Sequence, residues 1–191
     1  MDITKDLPPR ERLIDTADRL FYRDGIRAVG IDRIIAEAGV AKATLYTHFP
    51  SKDDLIVAVL RHREERVLAF FATPTAQHGR RRKEPLRAFF DALKTWFESP
   101  GFRGCAFQNA AVELADPSHA GTRLVRDHKR RFADIIRRVV DDAVGRSAPA
   151  VAAAIVLHVE GAIMTAVVQG TSEAADVARR TAETLVAQAR S

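Results

Sequence analysis

Apolar residues recur along this chain at helical spacing almost from end to end. Between positions 9 and 23, Leu13, Ile14, Ala17, Leu20 and Phe21 fall at steps of three and four, which predicts an amphipathic helix. After a short polar gap the pattern restarts. Ile31, Ile34, Ile35 and Ala38 form one stripe, Gly39 interrupts it, and Leu45 and Phe49 resume it at i, i+4. A glycine between two such short segments supplies the backbone freedom for a sharp reversal, with Val40 wedged into the angle. Residues 31–49 therefore read as a helix-turn-helix.

Pro50-Ser51 ends one helix and starts the next, with Ser51 as cap and Asp53 and Asp54 in the first turn. That helix is predicted over about 51–71, with Leu55, Val59, Leu60 and Val67 as apolar contacts. Thr73-Pro74 and the polar stretch 77–83 predict a loop. Further helices are expected over about 84–98, 105–115, 118–144, 148–169 and 173–190, punctuated by Pro100-Gly101, Gly104, Gly145 and Gly170. No segment of useful length alternates with the period of a strand, so the expected fold is all-α.

The second helix of the pair carries the candidate chemistry. With Leu45 and Phe49 turned inward, Lys42, Ala43, Tyr46 and Thr47 face outward, and Thr44 and His48 lie at the border. No acidic residue occurs between Glu37 and Asp53. A small, hydrogen-bonding and cationic face of this kind suits a helix that enters a DNA major groove.

Net charge is +5, but its location matters more than its size. Residues 1–54 carry nine Lys/Arg against ten Asp/Glu, residues 55–85 seven against three, and residues 86–191 fourteen against twelve. The bulk excess thus lies outside the candidate reading helix, and the argument for nucleic acid is local.

The order of residues over 10–54 resembles the DNA-binding domain of TetR/AcrR-type transcriptional regulators. The matching marks are Phe21 near the end of the first helix, Asp24-Gly25-Ile26, Ile34-Ile35-Ala36-Glu37-Ala38-Gly39-Val40, Lys42-Ala43-Thr44-Leu45-Tyr46-Thr47-His48-Phe49 and Ser51-Lys52-Asp53-Asp54-Leu55. Two positions depart from the family pattern. Gly30 stands where Ser or Thr commonly begins the first helix of the motif, and Ala41 stands where Ser is frequent. Glycine caps a helix nearly as well, at a cost of a few tenths of a kcal/mol, and Asp32 complements the helix dipole.

The resemblance implies an N-terminal three-helix helix-turn-helix domain, residues 1–54, followed by a larger helical ligand-binding and dimerisation domain, residues 55–191. The helix of about 51–71 would connect them. It implies a sequence-specific regulator, a ligand-responsive repressor acting as a dimer on a palindromic double-stranded operator. Carried over by position, Lys42 meets a phosphate or a guanine edge, and Thr44 and Tyr46 hydrogen-bond phosphates. Ala43 and Thr47 let the helix approach base edges, and His48 and Lys52 clamp phosphates. Arg33, on the outward side of the preceding helix, reaches a base or the backbone. Lys52 and Arg33 would otherwise be ordinary solvated charges.

The C-terminal half names no ligand. Phe89, Phe90, Leu93, Trp96, Phe97, Phe102 and Phe107 are the apolar candidates for an effector cavity, with Cys105, Gln108, Asn109, Glu113, His128 and His158 beside them. The competing reading is plain core, since aromatic residues at helical spacing pack against one another. Cys105 near a helix start invites a redox reading against that of a simply buried thiol. His128, His158 and Glu160 have no recognised ligand spacing, so no metal site and no cofactor are expected.

The helices over about 148–169 and 173–190 are rich in Ala, Ile and Val, and the first is apolar over more of its circumference than one core face needs. They are the expected homodimer interface, against the reading of a buried internal helix. His158 and Glu160 near the centre of that stretch argue against a membrane span. The single cysteine allows no internal disulfide, and Met1–Asp6 is too polar for a signal peptide, so a cytoplasmic protein is expected. No nucleophile–base pair, phosphate loop or metal motif supports an enzyme. The rival readings are an architectural protein that binds DNA without sequence preference, and a helical small-molecule carrier or enzyme with an incidental helical hairpin. Arg80-Arg81-Arg82-Lys83 reads as a solvated loop.

Overall fold

The computed structural model describes residues 7–77 and 84–191. Those residues form helices α1 (Pro9–Asp24), α2 (Ile31–Ala38), α3 (Lys42–His48), α4 (Lys52–Gln77) and α5 (Glu84–Phe97), then α6 (Ala106–Leu114), α7 (Ala120–Val144), α8 (Pro149–Gln169) and α9 (Glu173–Arg190), and no strand. The fold is all-α, as the periodicity predicted.

Local chemistry explains the ends of the elements. Pro9 occupies the first position of α1, where no backbone donor is needed. Gly39 closes α2 in the left-handed region at φ 63°, and its N–H and that of Val40 bond back to the Ala36 and Ile35 carbonyls. α4 opens on a reciprocal cap. The Asp54 N–H donates to Ser51 Oγ at 3.1 Å, and the Ser51 N–H donates to the Asp54 carboxylate at 3.1 Å.

α4 runs through Thr73-Pro74 to Gln77, where a loop was expected beyond Phe71. A proline inside a helix removes one donor and crowds the carbonyl four residues back, at a cost of about 3 kcal/mol, yet α4 continues through it. The rest of the predicted loop, with Arg80–Lys83, lies outside the described residues.

The chain divides into two compact units. One comprises the chain up to Glu65 together with Cys105–His128, and the other comprises Arg66–Gly104 with Lys129–Ser191. The boundary read from sequence, at 54/55, differs because α6 and the first half of α7 pack with α1–α4. Side-chain bonds hold them there: the Arg27 N–H donates to the Glu113 carboxylate at 3.0 Å, and Arg27 Nε donates to the Glu113 main-chain carbonyl.

Leu13, Leu20, Ile34, Leu45 and Leu55 are fully buried in the first unit. Each such side chain contributes about 1.5–3 kcal/mol on burial. In the second unit, Phe71 on α4 lies 5.1–5.9 Å, ring centre to ring centre, from Phe89, Trp96 and Phe132. Alanines close the other side of that unit: Ala152, Ala162 and Ala166 of α8 and Ala174, Ala178 and Ala182 of α9 are buried. α8 is long and apolar enough to cross a bilayer by length and composition, and here it packs along α9.

Candidate nucleic-acid interface

The reading helix α3 is anchored by Leu45, fully buried, and by Phe49 at its C-terminal end. Those two anchors fix its rotation. Lys42, Ala43, Tyr46, Thr47 and His48 are consequently exposed, with Thr44 at the border. Tyr46 keeps 45% of its surface open to solvent, an unusual exposure for a large aromatic that no packing role requires. The Thr47 hydroxyl donates to the Ala43 carbonyl at 2.9 Å, which leaves its lone pairs outward as acceptors.

The cations around α3 are less free than the sequence implied. Lys42 Nζ donates to Asp32 at 3.2 Å, a pairing that holds the ammonium above its ordinary pKa. Arg33 bridges Asp24 at 2.8 Å and Glu37 at 3.0 Å, inside a network that also takes in Arg19 and Arg23. The Arg23 hydrogen bond, with Arg33 behind it, pulls the Asp24 carboxyl down to about 2. Arg33 thus ties α2 to the end of α1, a role its position on the outward side did not disclose.

Lys52 departs furthest from expectation. Instead of standing out as a phosphate clamp, its Nζ donates to the Ile26 carbonyl at 2.6 Å and lies 5.8 Å from the centre of the Phe21 ring. Burial lowers its pKa. It acts as an internal strut for the α1–α2 loop, whose carbonyl would otherwise lack a strong donor. From the other side, Glu113 of α6 accepts the Arg27 N–H, and its own main-chain carbonyl accepts from Arg27 Nε. Gly25 at φ 93° makes room for that carboxylate, since a β-carbon there would sit 3.0 Å from Glu113 Oε2.

Eighty-six residues separate Arg27 from Glu113, so no local pattern could have found the pair. Arg10 was also overlooked. Its guanidinium lies 5.5 Å from the centre of the Phe49 ring, at the far end of α3.

The effector-cavity candidates are divided between the two units, and six of the thirteen belong to the first. Cys105 is buried at the start of α6, and Gln108 lies half-buried further along that helix. Asn109 and Glu113 line a cavity of about 20 Å³ with Phe21, Tyr22 and Arg63, room for about one water. His128 is buried, stacked on Phe107 at 3.5 Å, with Nδ1 3.7 Å from Glu64. In the second unit, Phe89 and Trp96 belong to the aromatic core already described. His158 is exposed on α8, with its Nδ1 2.8 Å from the Ala154 carbonyl. Glu160 is taken by Lys129 at 2.6 Å. Among the described residues no group of three or more His, Cys, Asp or Glu is arranged to hold a metal ion.

The match to known families decides the identity. Residues 13–59 match the family model described as bacterial regulatory proteins, tetR family, and residues 82–182 match the tetracyclin repressor-like C-terminal domain. The chain belongs to the TetR family. Among solved structures, a TetR-family transcriptional regulator from Streptomyces coelicolor superposes with a TM-score of 0.88 at 34% identity, over 96% of each chain. A TetR transcriptional regulator from Chloroflexus aurantiacus superposes at 0.80 with 28% identity, over 98% of each.

The transcriptional activator FasR of Mycolicibacterium smegmatis is 33% identical over 106 residues, 54% of this chain and 47% of FasR. UidR of Escherichia coli is 34% identical over 71 residues, 37% of this chain and 36% of UidR. The chain therefore aligns with about half or less of the length of those two regulators. This TetR-family protein is a DNA-binding transcriptional regulator and not an enzyme.

Proposed function

We propose that this TetR-family regulator is a ligand-responsive repressor, acting in the cytoplasm as a homodimer on a palindromic operator. The observation that carries the reading is the outer face of α3, exposed, free of acid and presenting Lys42, Ala43, Tyr46 and Thr47 together. In this reading Ala43 and Thr47 lie against base edges, and Thr44, Tyr46 and His48 bind phosphates. Lys42 leaves Asp32 for a phosphate or a guanine. Arg33 and Lys52 hold α2 and the α1–α2 loop in place and contribute through geometry.

One head reads few base pairs, so specificity calls for two. Leu157, Met164 and Val168 of α8 and Val177 of α9 are exposed apolar side chains on helices whose other faces are already packed, which supports dimerisation through α8 and α9. Regulators of this family typically dimerise and bind small-molecule effectors. An effector reaching Phe89 and Trp96 would have to part the aromatic cluster. The required preference for one state over the other is about 1–3 kcal/mol.

Footprinting on a duplex selected from a random library with the purified full chain tests the reading. Two protected half-sites are expected, separated by about one helical turn or a multiple of it. Uniform coating with only a steep salt dependence would replace it with architectural binding. The match to FasR, itself an activator, favours activation as the second reading. Loss of reporter expression on deletion of the gene would select it.

A further inference from the structure

We propose that Arg10 is a further DNA-binding residue, a guanidinium steadied over Phe49 that takes a backbone phosphate beside the C-terminal end of α3. The inference rests on the reading of α3 given above, and adds a residue that lies outside the helix-turn-helix altogether. Arg10 is on the first turn of α1, yet the fold brings it to the cap of α3. Its guanidinium carbon lies 5.5 Å from the centre of the Phe49 ring, and the His48 ring lies 6.3 Å from that same centre. Arg10 and the exposed His48 thus share one aromatic support at the edge of the reading face.

The other arginines of α1 and α2 are already engaged. Arg19, Arg23 and Arg33 are held by Asp24 and Glu37, and Arg12 donates to the Gly39 carbonyl. Arg10 is exposed and has no carboxylate in ion-pair range among the described residues. That difference decides its chemistry. A cation in an ion pair must first give up its partner to bind DNA, whereas Arg10 has no such partner among the described residues. An arginine laid over an aromatic face also keeps its planar donor fork pre-oriented, so little freedom is lost when phosphate oxygens arrive. A phosphate is a better match than a base edge, because Arg10 lies beside the end of α3 and not on its outer flank.

The test measures affinity for the selected duplex against salt, using the full chain with Arg10→Met, Arg10→Lys and Lys42→Ala. Methionine keeps an apolar stem over Phe49 and removes the charge. Arg10→Met is expected to weaken binding by about fivefold or more, equally for selected and scrambled duplexes. Its log K against log salt should be shallower by about 0.9 for each engaged head. Arg10→Lys should regain most of that slope. If Arg10→Met keeps wild-type affinity and slope while Lys42→Ala binds weakly, Arg10 only packs on Phe49 and the inference falls. If both variants bind like wild type, and Tyr46→Phe does too, the α3 face itself is refuted, and this contact with it.

Discussion

Lys42 already holds a partner before DNA arrives. Its ammonium lies 3.2 Å from Asp32, and both groups are well exposed, so the pair is worth little in water and is easily exchanged for a phosphate. Lys42→Ala is expected to weaken operator binding at every sequence tested, as loss of a phosphate contact does. Tyr46→Phe removes one hydroxyl and should cost about 1.5 kcal/mol of binding if that group meets a charged phosphate oxygen. Electrophoretic or fluorescence titration of the two variants checks both; unchanged affinity in both would remove α3 as the reading helix.

These positions were legible because a helix with Leu45 and Phe49 inside leaves one possible outer face. Lys52 was not legible in the same way. A lysine at a helix start reads as a solvated cation, and nothing in its neighbours reveals that the Ile26 carbonyl lies within its reach.

Among the elements, α1 and α2 are joined by charge as well as by packing. Arg33 sits between Asp24 and Glu37, and Arg19 and Arg23 extend the network along α1. The Asp24 carboxyl, at about 2 against an ordinary 3.8, ionises more readily in the folded chain. A depressed carboxylate contributes stability above its unfolded pKa and loses it as pH falls toward the folded value. The stability advantage of wild type over Asp24→Asn should therefore be present at neutral pH and shrink as pH falls from about 4 to 2. Denaturant midpoints across that window check it, and a constant advantage would mean that the network contributes nothing.

The hydrophobic period and the Gly39 turn placed α2 and α3 correctly from sequence, since both are local features. The end of α4 differs from the expectation because Pro74, which removes one bond and crowds the carbonyl four residues back, does not end the helix here.

For the whole molecule, the question is what covers α8 and α9. Leu157 and Val168 are 73% and 76% exposed on a helix whose opposite side is packed with Ile155, Val159 and Ile163. Leu157→Asp together with Val168→Asp should leave the fold intact and shift the chain from dimer to monomer at micromolar concentration. Operator affinity should fall with it, because two linked heads bind far more tightly than one. Sedimentation of the variant beside wild type checks this. A wild-type monomer would overturn the homodimer reading, and a variant that remains a dimer would place the interface elsewhere.

The all-α class, the helix-turn-helix and its outward face followed from the chain alone, because each depends on side chains three or four positions apart on one helix. The excess of apolar residues around most of the circumference of α8 was visible in the chain as well. Which cations stay available for DNA was decided by folding, as was the association of α6 and the start of α7 with the N-terminal helices. Those outcomes depend on partners far apart in sequence, Lys52 with Ile26 and Arg27 with Glu113, and on α1 arriving beside Phe49. Charge and burial act through space, so such pairings become readable only once the helices are packed.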